Sequence, residues 1–212
     1  MVFIRDTELV LRATVELVNT LPHTEVSGVD TLTTMAELDD FAERHTYTGS
    51  RARDERELAA VRGIRRRIQA LWNVDRDDAV PLVNAMLRDG RALPQLVRHD
   101  EFDWHIHASE ASDHLAQRML VETAMAFVDV IRADEYSRIR VCDADDCDGV
   151  YVDFSKNGSK RYCDSGNCGN RMNVNAYRKR KAETATSPAR RPREIAGLPG
   201  ASRAKPVREM GR

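Results

Sequence analysis

The sequence predicts a mainly helical α+β protein: a helical N-terminal domain carrying one β-hairpin, followed by a small four-cysteine zinc-binding module of ββα type. Three observations lead there. Apolar residues recur at helical spacing in five segments between residues 5 and 132. Period-two alternation is confined to two short stretches, around 102–107 and 150–154. All four cysteines of the 212-residue chain fall in one window, Cys142, Cys147, Cys163 and Cys168, spaced C-x4-C-x15-C-x4-C.

The first helix is expected over 5–19, with Leu9, Val10, Ala13, Leu17 and Val18 inward, and Asn19-Thr20-Leu21-Pro22 ends it because Pro22 disfavours a helical residue before it. Residues 23–32 read as a loop. Thr33 or Thr34 can cap a helix to about Arg44, Glu37 standing at capping-box spacing from Thr34, with Met35, Leu38, Phe41 and Ala42 inward. The third helix, 52–73, has the stripe Leu58, Val61, Ile64, Ile68, Leu71 and Trp72, and its Arg65-Arg66-Arg67 run reads as a solvated face. A fourth helix is expected over 75–87, with Pro81 tolerated near its start.

Between 91 and 108 the pattern changes. Leu93, Leu96 and Val97 precede His99-Asp100-Glu101, and Phe102, Trp104 and Ile106 then alternate with Asp103, His105 and His107, which argues a hairpin. His105 and His107 share a face. Two imidazoles on one face can bind metal, but no third ligand is identifiable nearby, and half-exposed polar positions are the ordinary reading. The longest helix is expected over 109–132, with Leu115, Met119, Leu120, Ala124, Phe127, Val128 and Ile131 in its core stripe.

Ile139 and Val141 lead a short strand into Cys142, Val150, Val152 and Phe154 mark a second strand, Asn157-Gly158 suits a tight turn, and Cys168 opens a helix of roughly 14 residues. Two close cysteine pairs can each clamp one edge of a tetrahedron, and four thiolates favour Zn2+, or iron in a redox protein. Disulfides would need an oxidising compartment, and the opening Met-Val-Phe-Ile-Arg-Asp-Thr-Glu is no signal peptide, so a soluble cytoplasmic protein with one structural zinc is expected.

A net charge of −1 hides a division. Residues 1–155 hold 18 Arg, no Lys and 30 acidic residues, net −12; residues 156–212 hold 15 basic and 4 acidic residues, net +11. An acidic body with a basic end suggests a polyanion partner for that end. From residue 183 the chain is rich in Ala, Pro, Arg, Thr and Ser and reads as a disordered basic tail. The expected division is therefore 1–137, 138–182 and 183–212.

Within the cysteine window the sequence resembles the CGNR zinc-finger family. The resemblance rests on Cys142, Cys147, Asp153-Phe154-Ser155 with Asn157, Arg161-Tyr162-Cys163, Cys168-Gly169-Asn170-Arg171, and the basic Ala176-Tyr177-Arg178 with Arg180. Upstream, Leu17-Val18-Asn19-Thr20 and the helical body resemble the ABATE domain that usually precedes this finger. The resemblance implies a transcription regulator of stress response.

The residues point to nucleic acid independently. Residues 156–181 carry eight Lys or Arg against one acid, Asp164. Such a surface supplies phosphate contacts, and Asn and Arg on an exposed helix can read base edges. The candidate contacts are Lys156, Lys160, Arg161, Asn170, Arg171, Asn173, Asn175, Tyr177, Arg178, Lys179, Arg180 and Lys181. Asn170 and Arg171 could instead orient the metal ligands, and Gly169 could allow close backbone approach to the metal. The acids Asp143, Asp145, Asp146 and Asp148 of the first cysteine pair should face away from DNA.

The function expected is a regulator that binds double-stranded DNA, its N-terminal domain sensing a small-molecule or protein effector. The rival is a protein- or RNA-docking zinc module, for example on RNA polymerase. No enzyme is expected: the body shows no glycine-rich phosphate loop and no catalytic constellation, and four protein ligands leave a zinc no open position.

Overall fold

The computed structural model describes residues 2–22, 28–98 and 103–186. The expectations for His99-Asp100-Glu101, Phe102, the first half of the 23–32 loop and the tail beyond 186 lie outside them. The chain forms two compact units, 1–174 and 175–212.

The first unit is a helical body with two separate antiparallel hairpins. Helix α1 spans Arg5–Asn19. Its buried face is Thr7, Leu11, Ala13, Thr14, Leu17 and Val18, whereas Leu9, expected inside, is 46% exposed. The stripe is rotated because α1 packs on α5 (Leu115–Arg132) partly through polar pairs. Thr7 Oγ1 donates to Asp129 Oδ2 at 2.6 Å, and the hydroxyls of Thr14 and Thr123 lie 3.0 Å apart. A hydropathy pattern gives threonine no weight, so this face was invisible to it.

Helix α2 (Met35–Arg44) starts on the expected capping box. Thr34 Oγ1 accepts from the Glu37 amide, and Glu37 reaches back to the Thr34 amide. Such a cap is worth about 1 kcal/mol. Helix α3 (Glu55–Gln69) begins three residues later than expected, where the Asp54 side chain accepts from the Glu57 amide, and tightens into a 3-10 turn over Ala70–Trp72. Helix α4 (Arg76–Asp89) is capped by Asp75 and carries Pro81 inside it. The solvated reading of Arg65-Arg66-Arg67 fails at Arg65, which is 3% exposed. Its guanidinium grips Asp30 with two hydrogen bonds of 2.7 Å and donates to Thr20 Oγ1 at 2.9 Å.

Strands β1 (Gln95–Val97) and β2 (His105–His107) form the expected hairpin, in the register Gln95↔His107, Leu96↔Ile106, Val97↔His105. Helix α5 starts at Leu115, six residues after the expected Ser109. Residues 110–113 are closed into a turn instead: the Asp113 carboxylate accepts from the Glu110 amide, and the Asp113 amide donates to the Glu110 carbonyl. Such side-chain bonds compete with the helix. Among the described residues no helix is long and apolar enough to cross a membrane.

Strands β3 (Ile139–Val141) and β4 (Val150–Val152) pair in the register Ile139↔Val152, Arg140↔Tyr151, Val141↔Val150. All three residues of β4 are buried. Val150 and Val152 belong to the main core of α1, α3 and α5, whereas Tyr151, pointing the other way, belongs to a second cluster with Cys142, Cys163 and Cys168. Three hydrogen bonds fix the strand to the body. Asn19 Oδ1 accepts from the Val150 amide at 2.9 Å, Asn19 Nδ2 donates to the Val150 carbonyl at 2.8 Å, and Trp72 Nε1 donates to the Tyr151 carbonyl at 3.0 Å. Helix α6 spans Cys168–Thr186, four residues past the expected end of the module at 182.

Candidate metal centre and nucleic-acid interface

Two knuckles and a helix start bring the four sulfurs together. The strand order carries Cys142 off the end of β3, where its amide donates to the Gly149 carbonyl at 2.8 Å. The Cys147 amide closes the first knuckle on the Ala144 carbonyl at 3.1 Å. Cys163 and Cys168 bracket the second knuckle, whose Asn167 takes a left-handed φ of 53°. All four Sγ atoms lie within 4.8 Å of one another, and Cys163 is 3.6 Å from both Cys147 and Cys168. A tetrahedral zinc with bonds near 2.3 Å sets its sulfurs about 3.8 Å apart, so the donor set fits one structural Zn2+.

The surroundings fit thiolates. The Gly149 amide donates to Cys147 Sγ at 3.3 Å, and the Cys163 amide to Cys142 Sγ at 3.4 Å. As bare thiols Cys147 and Cys168 would be poorly placed to ionise, since burial pushes both up, Cys168 to about 12, whereas at Cys163 burial is outweighed by hydrogen bonds from the neighbouring sulfurs, which hold it below the ordinary thiol value. A divalent cation removes that penalty. The close approach to the sulfurs is made by Gly149 rather than Gly169. A Cβ on Gly149 would meet Cys163 Sγ at 3.1 Å and Cys147 Sγ at 3.2 Å, whereas one on Gly169 would meet only the Tyr162 ring at an ordinary 3.5 Å.

Asp153, fully buried, organises the loop between the hairpin and the second knuckle. Its carboxylate accepts from the Ser155 amide at 2.8 Å and the Lys160 amide at 2.7 Å. Burial pushes its pKa up, but those hydrogen bonds outweigh burial and hold it below the usual carboxylate range. Tyr151 adds a bond from its hydroxyl to the Lys160 carbonyl at 2.7 Å.

The candidate nucleic-acid residues divide into distinct settings. Lys156 is exposed in the turn after β4. Lys160 pairs with Asp164 at 2.5 Å, Arg161 with Asp143 at 2.9 Å, and Arg171 with Asp146 at 3.0 Å while also reaching Cys168 Sγ at 3.5 Å. The acids of the first knuckle thus meet two of the expected DNA-binding arginines. Asn170 donates to Asn167 Oδ1 at 2.9 Å, and Asn173 is exposed on α6. In the second unit Asn175, Tyr177, Arg178, Lys179, Arg180 and Lys181 are all exposed on α6. Sequence reasoning missed Asn19, Gly149 and the positioning role of Asp153. Asn19 and Asp153 do stand in the motifs that carry the family resemblance, and Gly149 follows Asp148 in a common turn dipeptide, but none of these signals shows what the side chain or backbone touches.

A groove of about 760 Å³ runs beside the centre, with Arg12, Glu16, Arg44 and His45 from the helical body and Tyr151 and Lys160 from the zinc module among its walls.

A buried four-sulfur centre, seated on a hairpin and closed by a helix start, defines the class: a structural four-cysteine zinc finger carried on a helical domain. Residues 138–181 match the CGNR zinc finger, and residues 11–134 match the ABATE family, described as "Putative stress-induced transcription regulator". The second match covers more than half of the chain, and the protein belongs to that family. No curated protein matches the chain. The two matched segments meet between 134 and 138, where the packing of the first unit continues unbroken.

Proposed function

We propose that the protein is a DNA-binding transcriptional regulator in which one structural zinc fixes the start of a basic helix, and that it catalyses no reaction. The observation that carries the reading is the sulfur cluster at Cys168, the first residue of the helix bearing Asn173, Asn175, Arg178, Lys179, Arg180 and Lys181. The zinc's part is to hold these backbone segments together. Phosphate contact falls to the exposed cations of the second unit, whereas Lys160, Arg161 and Arg171 balance the acids and the anionic centre. The groove beside the centre gives the family's regulatory role a place for an effector, because one ligand there would touch both the helical body and the zinc module.

The test is a titration of zinc-loaded protein with duplex DNA at several salt concentrations. Charge reversal of Arg178, Arg180 and Lys181 together is expected to weaken binding to every sequence and to flatten the log–log salt slope by roughly 2–3 units. Asn173→Ala is expected to cost a preferred site about 1–3 kcal/mol and to leave non-specific binding unchanged. Cys163→Ser is expected to abolish both modes with the loss of zinc. Absence of binding to any duplex at low salt would overturn the reading. One observation favours the second reading, a protein-docking finger: the ion pairs of Arg161 and Arg171 give the finger's own surface a mixed rather than basic character. Retention of polymerase subunits by the purified protein is its expected signature.

A further inference from the structure

The geometry points to a second metal site, remote in sequence from the cysteines: a two-imidazole surface chelate formed by His105 and His107 for a borderline divalent cation such as Zn2+ or Ni2+. It is independent of the DNA reading. Side chains two apart on a strand share a face, and β2 places both rings on the face of Gln95 and Val97, opposite Leu96, Trp104 and Ile106. The two Nε2 atoms are 3.0 Å apart. Bonds of about 2.0–2.1 Å to one ion set two nitrogens about 2.9 Å apart at a right angle and about 3.4 Å apart at the tetrahedral angle, so the observed spacing is already a chelating bite.

The tautomer is set as well. His105 Nδ1 lies 2.8 Å from the Asp103 carbonyl, which can only accept, so Nδ1 carries the proton and Nε2 presents its lone pair. A backbone carbonyl behind the ring is the support that ligating histidines commonly have. In the absence of an ion, His107 Nε2–H donates to His105 Nε2. On binding, the ion takes that proton's place, and the proton passes to His107 Nδ1 or to solvent. Imidazole pairs suit zinc, nickel and copper rather than calcium or magnesium. Among the described residues the cysteine centre is the one group of three or more such donors, and among them this site offers two protein ligands.

Trp104, 64% exposed and adjacent to His105, reports on the site, whereas Trp72 is buried at 6% exposure. The experiment titrates Ni2+ into zinc-loaded full-length protein, following tryptophan fluorescence together with zinc release by a colorimetric chelator. Saturable quenching at one Ni2+ per chain without zinc release is expected. H105Q or H107Q should shift the midpoint at least tenfold, and the double variant should abolish saturation. Both side chains are at the surface, so circular dichroism of the variants should match the parent. Quenching that is unsaturable, unchanged in the double variant, or matched by zinc release would overturn the proposal.

Discussion

Arg65 shows how far a single residue can depart from its neighbours. Three consecutive arginines occupy one stretch of α3, yet helical steps of about 100° send them to different environments. Arg66 is exposed, Arg67 reaches Asp89 at 2.6 Å, and Arg65 is buried on Asp30. Position 65 falls on the buried stripe, four residues after Val61 and three before Ile68, but its partner is hidden from local pattern, because Asp30 is 35 residues away in a segment without periodicity. Arg65's hydrogen bonds lower the Asp30 carboxyl most, burial opposes them, and the Leu32 amide and Arg62 add to them, so Asp30 stays well below the ordinary carboxylate range. A depressed folded-state pKa contributes stability that is complete above the unfolded value near 3.9 and is lost as the pH falls through it toward the folded value. Arg65→Ala is therefore expected to cost about 2–3 kcal/mol at neutral pH. Asp30→Asn is expected to flatten the decline of stability between about pH 5 and pH 2. Urea unfolding across that range checks both, and an unchanged pH profile in Asp30→Asn would refute the assignment.

At the scale of elements, the decisive contact is α1 against β4. The presence of each helix, the Thr34 capping box and the strand segments of the hairpins were legible, because they depend on neighbours within four residues, Thr34 with Glu37 or His105 with His107, whereas α3 and α5 start three and six residues later than expected. The role of Asn19 was not legible. It reads as a helix terminator beside Pro22, while its side chain satisfies both polar groups of Val150, 131 residues away. The alternation along β4 was visible in Val150, Tyr151 and Val152, but the sequence does not say that one face meets helices and the other meets sulfur. Asn19→Ala leaves a buried amide and carbonyl unpaired and is expected to destabilise the unit by about 2–4 kcal/mol, since each unsatisfied group costs about 1–3 kcal/mol. It is also expected to speed zinc loss to chelator without touching a ligand. Denaturant unfolding and a zinc-transfer assay measure the two effects; a destabilised variant with unchanged zinc kinetics would mean that β4 holds the centre by itself.

For the whole molecule, the chain's acidic–basic division at residue 155 and its cysteine spacing were plain from sequence, while the family matches divide the chain earlier, between 134 and 138. The continuity of the core across residue 137 was not, because it depends on which long-range partner each strand face finds. Chelation of the zinc-loaded protein is therefore expected to lower the thermal transition of the helices themselves, in one cooperative step, because zinc binding stabilises whatever folds with it. Calorimetry with and without chelator tests this. Two separable transitions, with the helical one unmoved, would show that body and centre melt independently. The two-faced strand β4 also bears on inheritance. A finger cut out at 138 and grafted to another carrier would bring Val150 and Val152 along as naked surface, with no Asn19 to clasp the strand. Recombination can thus move this finger between proteins only when a helix equivalent to α1 travels with it, so the two segments are expected to have shared a lineage rather than to have been shuffled like beads.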